Sequence, residues 1–460
     1  MKREANLHTK TGEKNDLTEG NIIRTVIVFA IPFLLANLIQ ALYGAADLWV
    51  VGRYCGRNAV AAVATGTQVT QIITSIITGL TLGSTVLVGN YVGQKRMDEV
   101  KRTIGTGLCL FAVAGVLLSL LLFAFSGPVL RLLKTPPEAF EPAQKYVRVC
   151  ACGVVFICVY NAISAVLRGY GDSKSPLLFV AIAGCMNIVG DVILVKYFHL
   201  GVAGTALATI VSQGFSMVCA MAYLNRRDFI FRFSLSNFRM QKEKVRELMR
   251  IGIPISLQEC MVRLSFLYLT SVTNAVGVAA SSAVGIASKY DVFAMLPATS
   301  VASALASIVA QNYGAKKYDR MNRALLVGIL AAAPFSLAFF LWAQLSPETM
   351  IGAFSADISV IEAGIPFFRT CSFDYLCVLL VFSMNGYLNG RGKTIFTMLS
   401  CCFGALALRM PLIYLVCRFA PQNLGVIGTV APAVSGIMAA YTAVYVWKLM
   451  VTPEIQTDMR

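Results

Sequence analysis

Long apolar segments alternate with short polar ones along the whole chain. Twelve stretches of roughly 20 residues or more carry few charges, and a helix of that length crosses about 30 Å of hydrocarbon. The pattern predicts membrane-spanning helices, several of them long enough to tilt or to bend at internal prolines such as Pro32, Pro254 and Pro297. The predicted spans are 24–51, 59–89, 100–125, 142–167, 175–197, 201–225, 247–276, 280–311, 321–345, 360–388, 394–417 and 425–449.

The second six spans repeat the first six at a spacing of about 221 to 224 residues. Because six is an even number, both halves enter the membrane in the same orientation, and the repeat is parallel. Two such halves that rock about a site between them are typical of secondary transporters. The matching pairs are Leu167–Gly171 with Leu388–Gly392, Leu200–Thr205 with Leu424–Thr429, Ile31-Pro32 with Ile253-Pro254, and Tyr91–Lys95 with Asn312–Lys316.

The fold class that follows is an all-α membrane protein of twelve transmembrane helices, arranged as two parallel six-helix repeats. The predicted parts are an N-terminal tail (1–23), a first six-helix bundle (24–225), a basic linker (226–246), a second six-helix bundle (247–450) and a C-terminal tail (451–460).

Composition agrees with this class. Hydrophobic residues make up 57% of the chain, charged residues only 13%, and the mean hydropathy is +0.70. A soluble domain carries about a quarter charged residues. The chain is therefore an integral membrane protein, and we expect it in the plasma membrane.

The net charge of +16 reflects topology. Lys and Arg concentrate in the loops of one side, which by the positive-inside rule puts both termini in the cytoplasm. The densest basic run, 226–250, then lies against anionic membrane lipid. This distribution gives no reason to expect a nucleic-acid partner.

An enzyme is poorly supported. The two histidines, His8 and His199, fall in the tail and in a loop, away from any nucleophile motif. The thirteen cysteines show no metal-binding or disulfide spacing and suit packing. We expect a transporter with no catalytic residue and no cofactor, and no metal beyond a possible Na⁺.

Ionisable residues inside predicted helices are the main functional signal, because each is costly in hydrocarbon. In the first half, Asp47 and Asp191 have no intramembrane Lys or Arg to pair with. Counting inward from the helix ends puts them at one level, with Asn187 one turn deeper on the face of Asp191 and Thr209 at a similar depth. We predict that these four form a cation-coupling site.

Oxygen ligands of this kind suit a hard cation such as Na⁺, whereas two neighbouring carboxylates also suit reversible proton uptake. The residues alone leave both ions open. An alternative is that Asp191 and Asn187 only hydrogen-bond to neighbouring helices.

The second half differs because its buried acids have basic neighbours. A network of structural or gating ion pairs and a direct role in binding cationic substrates both remain possible. Glu259 and Asp374 are the acids we place among the substrate residues, while the charges assigned to structure or gating are Arg263, Lys289, Asp291, Arg369 and Arg409.

The order of motifs resembles the multidrug and toxic compound extrusion (MATE) family over nearly the whole chain. The residues that carry the resemblance are Pro32, Asp47 and Gly52, Gly93–Lys95, Leu167–Gly169, Asn187 and Asp191, Gln311–Ala315, and Asn389-Gly390. The resemblance implies a V-shaped pair of six-helix bundles that exports organic cations and amphipathic drugs in exchange for H⁺ or Na⁺.

In one branch of that family the cation site matches Asp47, Asn187, Asp191 and Thr209. Other branches use acids in the second bundle. Glu259 and Asp374 lie about a turn away from those positions and have Arg nearby, which weakens the case for a second cation site.

Apolar and aromatic side chains with a few polar groups would line a drug cavity, and Met adapts to varied ligands. The substrate candidates besides Glu259 and Asp374 are Asn37, Gln40, Tyr43, Tyr160, Asn161, Gln258, Tyr290, Phe293, Met295 and Met384.

The mechanism we expect is alternating access by a monomer. Two other classes share some features. A lipid or lipid-linked precursor flippase of a related superfamily would have the duplicated plan but a strongly cationic cavity, and a receptor would not need unpaired carboxylates at matched depth.

Overall fold

The computed structural model describes residues 16–133, 135–226, 230–231, 238–276, 278–420 and 423–452, and these residues are almost entirely helical. The all-α class is confirmed. The helices are α1 Ile22–Tyr54, α2 Arg57–Gly93, α3 Met97–Leu132, α4 Pro137–Tyr170, α5 Lys174–Asp191, α6 Gly201–Arg226, α7 Lys242–Val276, α8 Val278–Gly314, α9 Tyr318–Leu345, α10 Pro347–Gly352, α11 Ile358–Cys371, α12 Phe373–Gly390, α13 Thr394–Cys402, α14 Met410–Phe419 and α15 Leu424–Val451.

Eleven segments of the described chain are long and apolar enough to cross a membrane. The seventh predicted span is also helical, as α7, but Gln258, Glu259 and Arg263 make it less apolar than the others. Large apolar side chains stay exposed on outer helix faces, for example Leu120 on α3 and Leu330 on α9. Such surfaces are typical of helices that face lipid.

Within the described residues, the fifth span of each half contains a π-helical turn, although the two turns lie at different positions along the span. One turn, Val192–Tyr197, continues α5, and the other, Phe403–Arg409, joins α13 to α14. Asp191 is the last α-helical residue before the first turn, and Arg409 is the last residue of the second. A π-turn rotates the following side chains out of the α-helical register and often lies at a functional site. The charged residues beside these two turns, Asp191 and Arg409, are therefore candidates for a functional role.

The repeat seen in the sequence recurs in the backbone of the turns. Lys95 (φ 60°) follows α2 and Lys316 (φ 59°) follows α8. Both have the left-handed backbone conformation that residues other than glycine rarely adopt. In each turn the next residue closes a hydrogen bond: Arg96 N–H donates to the Tyr91 carbonyl at 3.0 Å. Lys317 N–H donates in the same way to the Asn312 carbonyl at 2.8 Å.

Helix packing repeats as well. A Cβ placed on Gly169 would lie 2.6 Å from the Thr85 carbonyl oxygen, and one on Gly390 would lie 2.8 Å from the Ala306 carbonyl oxygen. Both pairs bring a helix backbone directly onto its neighbour, which only a residue without a side chain permits. The duplicated glycines therefore fix the same helix contact in each half.

The chain forms two compact units. One contains Pro32–Ser256, and the other contains Thr18–Ile31 with the described residues from Leu257 onward. The first part of α7 therefore belongs to the unit of the first repeat. It packs on α2 through glycines, since a Cβ on Gly83 would lie 2.9 Å from the Leu248 carbonyl oxygen.

A buried lysine fixes this part of α7. Lys244 is only 5% exposed, and its Nζ lies 2.8 Å from a carboxylate oxygen of Glu99, 2.8 Å from one of Glu247 and 2.6 Å from the Tyr91 hydroxyl. Burial lowers the pKa of Lys244, but its hydrogen bonds to Glu247, Glu99 and Tyr91 outweigh this effect and raise the pKa above its usual value. The lysine therefore remains charged at neutral pH, ahead of the predicted span 247–276.

The second unit binds the start of α1 in a corresponding way. Lys317 Nζ donates to the Thr18 carbonyl at 3.0 Å, and Arg320 Nη1 donates to the Gly20 carbonyl at 2.6 Å. Arg320 occupies the position that Glu99 has in the first repeat. The same turn thus anchors a helix start in each unit, once through an acid and once through a base.

We predict that Lys244→Met weakens the first unit. Removing one partner of a buried ion pair costs on the order of 3 kcal/mol. Glu99 and Glu247 both lose the buried ammonium group, and Glu99 keeps only the more exposed Arg96 and Arg102, at 3.7 and 3.5 Å. The apparent melting temperature of the purified protein should fall by several degrees. Lys101→Met is the matched control, since the partner of Lys101, Asp98, is exposed and such pairs contribute at most about 1 kcal/mol. Equal melting temperatures for the two variants would contradict the assigned role of Lys244.

Candidate functional site

Two carboxyl groups and an amide meet inside the first unit. The side chain of Asp47, on α1, contacts those of Asp191 and Asn187, both on α5. Asp47 is 6% exposed, Asn187 2%, and Asp191 is fully buried. Gly184 on α5 permits the close approach of α1, because it has no side chain and leaves room for Ile39 and Tyr43.

Helix α6 adds hydroxyl groups to this cluster. Asn187 Nδ2 donates to Thr209 Oγ1 at 3.3 Å, and Thr209 Oγ1 donates to the Thr205 carbonyl at 3.1 Å. The amide nitrogen of Asn187 is thereby turned toward α6. Its oxygen, Oδ1, is left without a hydrogen-bond donor among the described residues.

The cluster is short of donors. Within the described part of the chain, Asp47 Oδ1 and both carboxylate oxygens of Asp191 are buried without a hydrogen-bond donor. Two carboxylates in contact offer only acceptors, so a hydrogen bond between them requires a proton. Unsatisfied buried acceptors are costly, and a bound proton or metal cation would remove that cost.

The surroundings of the cluster are apolar and aromatic. Tyr43, on α1, lies one turn before Asp47, and Tyr146, on α4, is buried with its hydroxyl 3.4 Å from Thr67 Oγ1. Cys150, one turn after Tyr146, is buried as well. A site walled in this way excludes water and strengthens the interaction of the carboxylates with any cation.

The predicted substrate residues differ in how accessible they are. Among those of the first half, Gln40 is exposed, Asn37, Tyr43 and Asn161 are half-buried, and Tyr160 is buried. The Tyr160 hydroxyl donates to the Pro176 carbonyl at 3.2 Å, and Asn161 Nδ2 donates to the Ile157 carbonyl at 2.8 Å. The Tyr160 hydroxyl thus links α4 to α5, whereas the Asn161 amide bonds to the backbone of its own helix.

The second-half candidates divide in a similar way. Phe293 is exposed, Glu259 and Met295 are half-buried, and Gln258 and Met384 are buried.

Tyr290 belongs to the interior of the second unit. Its hydroxyl donates to the Met350 carbonyl at 2.9 Å, and its ring packs edge-on against Trp342, Phe354 and Phe368. A tyrosine held on all sides in this way supports the core.

The charges of the second unit separate into two groups. Lys289 and Arg369 are exposed, and Arg263 lies near Glu259. Asp374 is buried and interacts with Arg409 and with the Ser435 hydroxyl.

Asp291 joins the buried group through the hydroxyl of Tyr375 and the charge of Arg409. Arg409 Nη2 also lies 3.4 Å from Ser435 Oγ. Among the described residues, Asp374 Oδ1 and Arg409 Nε have no hydrogen-bond partner, so this cluster also has unsatisfied polar atoms. It differs from Asp47 and Asp191 in that the charge of Arg409 acts on both of its acids.

Several residues of these sites escaped the sequence analysis. Thr205, Tyr375 and Ser435 were not singled out, because hydroxyl groups are frequent in membrane helices and carry no signal alone. For Thr205 a signal existed, since it lies four residues before Thr209 and therefore on the same helix face. Tyr375 and Ser435 could be found only once the helices were assembled.

A duplicated set of membrane-crossing helices with buried, donor-poor carboxylates defines a membrane transporter. The MatE family model matches the chain twice, at residues 32–193 and 254–415. The two matches begin at Pro32 and Pro254, which the sequence repeat pairs. The chain belongs to this family of multidrug efflux transporters and is not an enzyme.

Named relatives and solved structures agree with this. The chain is 30% identical to the probable multidrug resistance protein YoeA of Bacillus subtilis, over 68% of this chain and 69% of that one. It is 28% identical to the probable multidrug resistance protein YpnP of the same species, over 82% and 84%. A MOP superfamily transporter from Pyrococcus furiosus shares the fold with a TM-score of 0.88 at 22% identity, over 94% and 97%.

We predict that Arg409 and Asp374 stabilise the second unit jointly. Arg409→Gln should lower the apparent melting temperature by several degrees, since two buried acids lose their positive neighbour. Adding Asp374→Asn should recover part of the loss, with a coupling energy of about 1 kcal/mol or more in a double-mutant cycle. Arg418→Gln, at an exposed position of α14, the helix that follows Arg409, is the control. Strictly additive effects would rule out the pairing.

Proposed function

We propose that the protein exports organic cations and amphipathic drugs in exchange for H⁺ or Na⁺. The observation that carries this proposal is the contact of Asp47 with Asp191 and Asn187 in a buried site without enough donors. A resting structural cluster would satisfy its oxygens with protein donors. A site that lacks them suits an ion that binds and leaves.

Coupling requires that the ion and the drug favour different conformations, because a ligand with equal affinity for both shifts nothing. The ion site joins three helices, since Asp47 lies on α1, Asn187 on α5 and Thr209 on α6. Emptying the site leaves two buried negative charges in contact, which repel each other. Ion release therefore favours a rearrangement of α1 against α5 and α6, and ion binding reverses it in an alternating-access cycle.

The substrate class rests on the relatives. Those from Bacillus subtilis and Thermotoga maritima are described as probable multidrug resistance proteins, and those from Staphylococcus species as multidrug export proteins. Hydrophobic cations suit a carrier whose first half holds unpaired acids. We further propose that the protein acts as a monomer in the plasma membrane with both termini in the cytoplasm, where its basic linker contacts anionic lipid.

The predicted substrate residues fit this function to different degrees. Gln40 and Phe293 are exposed enough to meet a drug, and half-buried Tyr43 and Glu259 offer an aromatic face and a carboxylate. For the second-half charges, a structural role suits Arg409 and Asp291, which lie in one buried cluster. A gating role suits the exposed Lys289 and Arg369.

We predict that Asp191→Asn abolishes gradient-driven efflux. The amide keeps the size of the side chain but removes a charge that the ion needs, so transport of a fluorescent organic cation from proteoliposomes should fall by at least about tenfold. Asp47→Asn should act in the same direction. Asp98→Asn is the control, because this acid is 90% exposed and far in sequence from the site.

The assay should be run with a proton gradient and with a Na⁺ gradient separately. Wild-type rates of efflux in the Asp191→Asn protein under both gradients would refute the coupling role of the cluster.

A further inference from the structure

One threonine of the duplicated Leu-Gly-x-x-Gly-Thr motif lies in an unusual environment. Thr205 is fully buried, and its hydroxyl has no hydrogen-bond partner within the described part of the chain. Its counterpart in the second repeat, Thr429, is exposed and donates to the Val426 carbonyl at 2.7 Å. The motif alone therefore does not require a buried, unpartnered hydroxyl at this position.

The register of α5 against α6 places Thr205 at the level of Asp191. Asn187 meets Thr209 through a hydrogen bond of 3.3 Å, and a Cβ on Gly190 would lie 3.1 Å from the Ala208 Cβ. Asp191 comes four residues after Asn187, and Thr205 comes four residues before Thr209. In an antiparallel helix pair, this spacing puts Asp191 and Thr205 at one level of the same interface, one helical turn from Asn187 and Thr209.

Neither Thr205 Oγ1 nor the carboxylate oxygens of Asp191 have a hydrogen-bond donor beside them among the described residues, although Asp191 contacts Asp47. Asp191 offers two bare carboxylate oxygens, and Thr205 offers a hydroxyl that is free to rotate. The Thr205 backbone is already held, because its carbonyl accepts the hydroxyl of Thr209. The hydroxyl of Thr205 is therefore carried on a fixed backbone at the level of an unsatisfied acid.

The oxygens of this region outnumber what a proton can serve. Those without a partner are Asp47 Oδ1, Asn187 Oδ1, Asp191 Oδ1 and Oδ2, and Thr205 Oγ1. One proton bridges two oxygens and leaves the rest unsatisfied, whereas a hard metal cation is surrounded by oxygen ligands on several sides.

We propose that Thr205 Oγ1 is a further ligand of the coupling ion and that this ion is Na⁺. The inference rests on the proposed function, because it concerns the ion site of the transport cycle. Thr205 would supply a neutral oxygen ligand through a lone pair of its hydroxyl. Its role is to set the affinity of the site for Na⁺.

The test measures Na⁺ binding without transport. Purified full-length protein is heated over a series of NaCl concentrations, with KCl keeping the ionic strength constant. A ligand that binds only the folded protein raises the melting temperature in proportion to its occupancy. The wild type should show saturable stabilisation by Na⁺, and Thr205→Val should need about tenfold more Na⁺ for the half-maximal effect because one ligand is missing.

Two variants distinguish a ligand from a packing residue. Thr205→Ser keeps the hydroxyl and should stay within about twofold of the wild type, whereas Thr205→Ala should behave like the valine variant. Thr429→Val removes the corresponding exposed hydroxyl and should leave the Na⁺ dependence unchanged. If the valine variant does not fold, the alanine and serine variants carry the comparison.

The outcomes separate this inference from the proposed function. An unshifted Na⁺ dependence in Thr205→Val and Thr205→Ala overturns the assignment of Thr205. A wild type without specific stabilisation by Na⁺, combined with loss of proton-driven efflux in Asp191→Asn, overturns the choice of Na⁺ and leaves the transport function standing. Unimpaired efflux in Asp191→Asn under both gradients refutes the proposed function itself.

Discussion

The structure depends on one constraint: two carboxylates are buried in contact in the first half with too few donors around them. Carboxylates of this kind are very costly in a low-dielectric interior unless a positive charge accompanies them. Asp47 lies on α1 and Asp191 on α5, so the free-energy cost of burying both carboxylates depends on how closely these two helices pack. Any change in the ion that accompanies them must therefore change the balance between those helices.

The duplicated scaffold supplies positions, and the side chains make them different. The turns at Lys95 and Lys316 share one backbone conformation, and Gly169 and Gly390 make the same helix contact. In contrast, Glu99 holds a lysine at the position where Arg320 holds backbone carbonyls. A repeated fold thus tolerates opposite charges at equivalent sites, because what it conserves between its halves is backbone geometry.

The helices, the repeat and the members of the acidic cluster were predictable from the sequence. Spans, repeat and the set of Asp47, Asn187 and Asp191 follow from hydropathy, spacing and helix periodicity, since membrane helices must satisfy their own backbone. The π-turn after Asp191 and the aromatic setting of Tyr290 did not follow, because they arise from contacts between distant segments. The composition of the compact units was also hidden: nothing in the pattern indicates that the start of α7 packs with the first repeat.

The buried acids of the two halves differ in whether the protein supplies their counter-charge. In the second half, Arg409 stands at a π-turn beside Asp374 and Asp291, so the protein itself provides the cation for those acids. In the first half, the π-turn of the fifth span follows Asp191, and the described residues there include no base in contact with this acid. A fixed guanidinium cannot leave, whereas an ion from solution can. The acids of the first cluster are therefore the ones without a fixed counter-charge, and this is why we place the proposed ion site there.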